Sequence, residues 1–244
     1  MFYALLEGED RAVEIEGGLS SNPRARGASR SIAGLRSLVP FTPTKIIGVG
    51  RNYRAHALEL KHAIPSEPLL FLKPASALLA PGEAIRLPRE SRRVDYEGEL
   101  GVIVGRAARR VRESQAMDYV LGLTCVNDVT ARDLQEQDVQ FTRAKGFDTF
   151  CPAGPCVALG LDPSALTVET YVNGARRQSA AVSSMIFGIA RLLSYASDVM
   201  TLLPGDLITT GTPDGVGPLA EGDEVTVAIA GIGRLTSRVE AERP

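Results

Sequence analysis

The chain has 244 residues, 44% of them apolar, a formal net charge of −2 and three cysteines. That length can bury a large core with a small appendage beside it, and the near-neutral balance offers no basic footprint for nucleic acid. No apolar run approaches the ~18 residues needed to span a bilayer, and residues 1–10 lack a signal peptide's basic region and apolar core, so a cytoplasmic protein without a membrane partner is expected.

In chain order, residues 2–6 and 11–15 read as a small hairpin. Residues 17–30, rich in Gly, Ser, Asn, Pro and Arg, read as a loop. A boundary is expected near Thr42-Pro43, which makes 1–44 a small N-terminal β appendage and 45–244 the main domain. Residues 45–49 read as a strand and 53–61 as a helical turn or two. His56 and Glu59 fall at i and i+3, neighbours on one helix face. A carboxylate beside an imidazole orients the ring and raises its basicity, although such a pair is also a common surface ion pair.

The run Val94-Asp95-Tyr96-Glu97-Gly98-Glu99-Leu100-Gly101-Val102-Ile103-Val104 alternates with a period of two. Glu97 and Glu99 therefore leave one face of a strand, while Val94, Tyr96, Leu100, Val102 and Val104 leave the other and read as core. Two like charges side by side repel unless a cation sits between them, and carboxylate oxygens suit hard divalent ions. The competing reading is a half-buried strand whose polar face meets water. Residues 119–126 form a nearly continuous apolar run, a strand buried on both faces. It ends in Asn127-Asp128, followed by Thr130-Ala131-Arg132-Asp133, which has the spacing of a capping box with Thr130 as N-cap. Asp128 then has no structural task beyond that of a turn residue, and a bare buried carboxylate is expensive.

Further strands are expected at 69–72, 84–87, 155–158, 167–172, 207–210, 224–229 and 233–239. Asn173-Gly174 signals a hairpin turn. One long helix is expected over 184–201, with Met185, Ile189, Leu192, Leu193, Ala196 and Val199 near 3.6 spacing as a core or subunit-contact stripe. Strands with frequent turns make the fold class mainly β (α+β) with a few short helices. Gly48-x-Gly50 and Gly215-x-Gly217 lack the strand–turn–helix context of dinucleotide binding. Cys125, Cys151 and Cys156 are odd in number and lack C-x-x-C spacing, so free buried thiols in a reducing compartment are expected and zinc is not.

The segments GVGRNYRAHALEL, EPLLFLKP, DYEGELGVIVG, NDVTARDLQ, RAKGFDTFCPAGP and SSMIFGIARLLSYASDVMTLLPGDLITTGTPDGVGP, in this order over about 45–240, resemble the fumarylacetoacetate hydrolase superfamily. The resemblance implies a mixed β-sandwich or closed β roll, a homodimer, and one Mg²⁺ or Mn²⁺ ion held by Glu97, Glu99 and Asp128. It implies that His56 and Glu59 form a water-activating dyad, and that Lys145, Gln135, Thr212, Arg51 and Tyr53 of the R-N-Y motif contact substrate, Lys145 also acting in catalysis. Lys145 is one of four lysines, and a compact ammonium suits a single oxygen; alone it could equally be a solvated surface cation. Three carboxylates around a dication leave about one negative charge, which Lys145 could balance.

The implied substrate is a 2-oxo or β-diketo acid, taken through a metal-stabilised enolate. Acylpyruvate hydrolysis or oxaloacetate-type decarboxylation would cleave a C–C bond. Isomerisation of the 2-hydroxyhepta-2,4-diene-1,7-dioate type, as in aromatic catabolism, would only move a proton. A non-catalytic binding module on the same scaffold is the reading from another class. Residues 60–68, after the dyad, are expected to form a lid over bound ligand.

Overall fold

The computed structural model describes residues 2–8, 10–16, 24–59 and 63–243. Two large sheets carry the main body. The first has seven strands, in the spatial order Leu69–Lys73, Ile46–Gly50, Leu207–Thr209, Gly98–Val104, Val120–Asn127, Cys151–Ala158 and Leu78–Leu79. The second has five, in the order Ala175–Ala181, Thr167–Val172, Glu224–Ile229, Gly233–Ala241 and Ala84–Leu87. Between them lies an apolar layer to which the first sheet sends Ile47, Val49, Leu100, Val102, Val104 and Leu123, and the second Val168, Val227, Ile229 and Leu235. The fold is thus mainly β, with sheets packed face to face through alternating residues.

Val94, Tyr96, Leu100, Val102 and Val104 are all buried as expected, and so are Asp95, Glu97, Glu99 and Ile103 of the opposite face. The strand is nevertheless interrupted at Glu97, between Val94–Tyr96 and Gly98–Val104. There the Glu97 N–H donates to the Asn127 side chain at 2.9 Å, and the next residue is a glycine because a Cβ there would lie 1.9 Å from Thr170 Oγ1 of the second sheet. Asn173 and Gly174 form a two-residue turn with positive φ at both positions, as the hairpin signal requires.

Three expectations are corrected. The long helix spans Ile189–Val199, not 184–201. Asn52 holds the preceding segment extended: its amide donates to Phe187 O and accepts from Phe187 N, and its carbonyl accepts from Ile186 N. Ile189, Leu192, Leu193 and Ala196 are buried, but Val199 is 58% exposed and lies off the core stripe. Thr130 is not a side-chain cap: Thr130–Ala131 pairs with Asp95 and Val94, and the Thr130 hydroxyl donates back to Asp128 O. Asp133 accepts from Ser91 Oγ and Arg92 N instead of closing a capping box. Finally, the loop expected at 17–30 contains the short strand Arg24–Ala25 and ends in Arg30–Ser31, both paired with Arg11–Glu16; residues 17–23 lie outside those described. With Tyr3–Leu6 these strands form a separate four-stranded sheet.

All three cysteines are free; Cys125 and Cys151 are buried and Cys156 is half-buried. Burial pushes the Cys151 thiol up to about 12. Among the described residues no helix is long and apolar enough to cross a membrane.

The join between the N-terminal sheet and the main body is pinned by Asp206. Its buried carboxylate accepts from Thr44 N at 2.9 Å, Thr44 Oγ1 at 2.7 Å, Lys45 N at 3.1 Å and Leu203 N at 2.7 Å, and pairs with Lys45 Nζ. Burial alone would raise its pKa, but the Lys45 and Leu203 hydrogen bonds hold it below the usual carboxylate value. A depressed folded pKa stabilises above the unfolded value of ~3.9, and that stabilisation is lost as pH falls through the folded value. Asp206→Asn should therefore cost about 2–4 kcal/mol at neutral pH in urea unfolding. The difference from wild type should shrink below about pH 4.

Candidate active site

Strand directions bring the chemistry to one end of the seven-stranded sheet. Ile46–Gly50 and Leu207–Thr209 run parallel and end there, while Gly98–Val104 begins there and Val120–Asn127 ends there. The residues at or just beyond these ends, Arg51, Glu97, Glu99, Asp128 and Thr212, line a single pocket of about 400 Å³. The short helices Arg132–Gln137 and Thr142–Lys145 close one side with Arg132, Gln135 and Lys145. Leu69 and Phe71, alternate residues of the edge strand, form an apolar wall.

Glu97, Glu99 and Asp128 are buried, and each offers one oxygen lying within 4.8 Å of those of the other two. Such a set of hard oxygen ligands can hold a divalent cation. Lys145 Nζ donates to Glu97 Oε2 at 2.8 Å and to Asp128 Oδ2 at 2.6 Å, beneath the Phe71 ring at 4.9 Å. Burial would lower the Lys145 pKa, but Asp128 and Glu97 hold it above the ordinary lysine value. Burial would raise Glu97, yet Lys145 and Arg132 hold it well below the carboxylate range. Glu99 goes the other way: burial first, then the Asp128 charge, pushes it well above that range. Of the three acids, Glu99 is thus the one whose surroundings most favour the protonated form.

Two of the charges that hold this cluster have no counterpart in the sequence expectations. Lys73, fully buried at the end of its strand, donates to Asp128 Oδ1 at 2.6 Å and to Val129 O at 3.2 Å. Arg132 is buried, pairs with Glu97, and donates to Asp95 Oδ2 at 2.9 Å and to Gln135 Oε1. The buried acids Asp95, Glu97, Glu99 and Asp128 are thus matched in number by Lys73, Lys145, Arg132 and, on Asp95, Arg93, so a dication would leave a surplus of positive charge. The expected surplus of one negative charge, balanced by Lys145 alone, is corrected accordingly.

His56 is buried and lines the pocket; its Nδ1 lies 3.3 Å from Glu59 Oε2. Glu59 stands behind it, outside the pocket wall, and accepts from Gly215 N at 3.1 Å. A carboxylate on Nδ1 places the ring proton there and leaves Nε2 as the free base. Arg51 lines the pocket from a left-handed backbone, φ 58°. Tyr53 does not reach the pocket: it is buried, with its hydroxyl pKa raised by burial and then by Glu99. Thr212 Oγ1 donates to Gly98 O at 2.9 Å and accepts from Gln178 Nε2, tying the turn to the Glu97–Glu99 segment. Residues 60–62 of the expected lid lie outside those described.

A β-sandwich with a buried triad of acids, a His–Glu pair and a lysine at one sheet end has the makings of an enzyme active site, with acids that could hold a dication. The chain belongs to the fumarylacetoacetate (FAA) hydrolase family, whose C-terminal domain model matches residues 45–240. It is 44% identical over 201 residues to the human mitochondrial oxaloacetate tautomerase FAHD1, covering 80% of this chain and 91% of that one. The crystal structure of 5-carboxymethyl-2-hydroxymuconate delta-isomerase from Mycobacterium smegmatis superposes with a TM-score of 0.91 at 43% identity, covering 99% of this chain and 94% of the other. That of 2-hydroxyhepta-2,4-diene-1,7-dioate isomerase from Mycobacterium marinum does so with 0.90 at 44% identity, covering 98% and 93%.

A dication held by the triad would bind the folded protein and not the unfolded chain, so Mn²⁺ at roughly 100 times its Kd should stabilise the protein by about 2.7 kcal/mol, about 5–10 °C in Tm. Glu99→Gln mimics the protonated acid. It should raise the Tm of EDTA-treated protein at neutral pH while removing the Mn²⁺ increment. A scanning fluorimetry series reads both, and a full Mn²⁺ shift in Glu99→Gln would contradict the assignment.

Proposed function

We propose that this protein is a divalent-metal-dependent enzyme that takes 2-oxo and β-diketo acids through their enolates, with Mg²⁺ or Mn²⁺ held by Glu97, Glu99 and Asp128. The observation that carries the reading is the placement of His56, oriented by Glu59, on the wall of the pocket that contains the acid triad and Lys145. The bound ion would polarise the 2-oxo group and stabilise negative charge on its oxygen. His56 Nε2 is the group able to take a proton from the carbon beside that oxo group and to return it elsewhere. Lys145 Nζ, already between two anionic oxygens, supplies a further positive charge to the oxygen on which charge develops. Arg51 and Gln135 stand on the wall where the rest of an acidic substrate would lie. The charge balance agrees: a neutral arrangement plus a dication suits a substrate that carries two negative charges as a carboxylate and an enolate, or as a dicarboxylate.

Proton transfer alone gives keto–enol tautomerisation or isomerisation of a 2-oxo dicarboxylate, the reading favoured by the names of the relatives. Cleavage is the second reading, since the same enolate leaves when an acylpyruvate is hydrolysed or oxaloacetate loses CO₂, and the His56–Glu59 pair can equally activate water. A binding module that had lost its chemistry would have no use for three mutually repelling buried acids beside an oriented imidazole.

The test is an assay of oxaloacetate and an acylpyruvate in parallel, following enol absorbance, CO₂ release and hydrolysis products. EDTA should abolish every activity and Mg²⁺ or Mn²⁺ restore it. His56→Ala should lower proton transfer by about 10²–10⁴-fold. Turnover that persists in metal-free protein, or a His56→Ala variant as active as wild type, would remove the basis of the proposal.

A further inference from the structure

Besides the bonds from Lys145, each acid of the triad has one oxygen held by a separate protein donor. Lys73 Nζ holds Asp128 Oδ1 at 2.6 Å, the Gly211 N–H holds Glu99 Oε2 at 2.7 Å, and Arg132 Nη2 holds Glu97 Oε1. The other oxygens are Asp128 Oδ2 and Glu97 Oε2, both on Lys145, and Glu99 Oε1.

Lys73 is the least expected of these donors. It ends the apolar edge strand Leu69–Lys73 and points to the same face as Leu69 and Phe71, yet it does not line the pocket. A lysine buried this deeply is costly unless paired, and its partners among the described residues are Asp128 Oδ1 and Val129 O. Unable to touch substrate, it acts through Asp128.

We infer that Lys73 is a positioning residue that, with Arg132 and the Gly211 N–H, restricts the triad to one oxygen per carboxylate and so builds a site for a small six-coordinate dication that discriminates against calcium. The inference rests on the metal-dependent reading above. Calcium takes six to eight oxygens and draws on carboxylates through both of theirs, whereas magnesium takes six at shorter distance and keeps positions for water or substrate. Three single oxygens are half of a six-ligand shell and fall well short of calcium's demand. A donor fixed on the second oxygen of each acid also keeps the carboxylate from rotating into two-point attachment, as outer partners of metal ligands commonly do.

Calorimetric titration of the full-length, metal-free protein with MgCl₂ and with CaCl₂ tests this without any turnover. Wild type should bind Mg²⁺ at least as tightly as Ca²⁺. Lys73→Met, which frees Asp128 Oδ1, should weaken Mg²⁺ by about 10–100-fold and shift the Mg²⁺/Ca²⁺ affinity ratio toward Ca²⁺ by about tenfold. Arg132→Gln, which frees Glu97 Oε1, should shift the ratio the same way and stands in if Lys73→Met does not fold by circular dichroism. Wild type preferring Ca²⁺, or variants that weaken both ions equally, would overturn the inference and leave the metal-dependent reading standing. Failure of wild type to bind either ion would overturn both.

Discussion

The structure is organised around the cost of bringing three carboxylates together out of water. Buried like charges are tolerated only when cations and hydrogen bonds surround them. Here the compensation comes from Lys73, Lys145 and Arg132, each contributed by a different element, and from the Gly211 N–H. The arrangement also explains why neighbouring acids behave oppositely. Glu97 faces two cations that pull its pKa down, whereas at Glu99 burial and the Asp128 and Glu97 charges outweigh Lys145 and the Gly211 N–H and push it up.

How far these features could be read from the chain depends on whether they leave a periodic trace. The alternation around Glu97 and Glu99 does, because one face had to be apolar, and so do the Asn173-Gly174 turn and the buried strand leading to Asp128. Lys73 leaves none: in Leu69-Leu-Phe-Leu-Lys73 it reads as the polar end of a strand, and only the curvature that carries it to Asp128 gives it a partner. Arg132 was concealed by its setting, since Thr130 and Asp133 imitate a helix cap while serving a β-bridge and the Ser91 turn. The helix start was misplaced for a related reason. Nothing local in 184–188 forbids a helix; the competing bonds come from Asn52, far away in the chain. Tertiary hydrogen bonds overrode local preference in both places.

The family supplies the chemistry, and the pocket wall sets what is done with it. On the proposed reading, the triad and the His–Glu pair would fix only that negative charge beside a carboxylate can be stabilised and a proton moved. Arg51, Gln135, Leu69, Phe71 and Phe141 shape the remaining surface, and they belong to loops, a short helix and an edge strand, not to the sheet interior. One scaffold can therefore serve tautomerisation, isomerisation and cleavage through changes that leave the core intact.

The parallel pairing of Ile46–Gly50 with Leu207–Thr209, fastened where Asp206 meets Thr44 and Lys45 across a sequence separation of about 160 residues, also sets the order of assembly. Contacts of such high order form slowly, after the antiparallel hairpins that need only short closures. The pocket groups on Gly50–Arg51 and on Thr212 meet only when that pairing closes, so the pocket is incomplete until the two ends of the main body have met. A nascent chain lacking its final forty residues would hold Glu97, Glu99 and Asp128 without the strand that brings Gly211 to them.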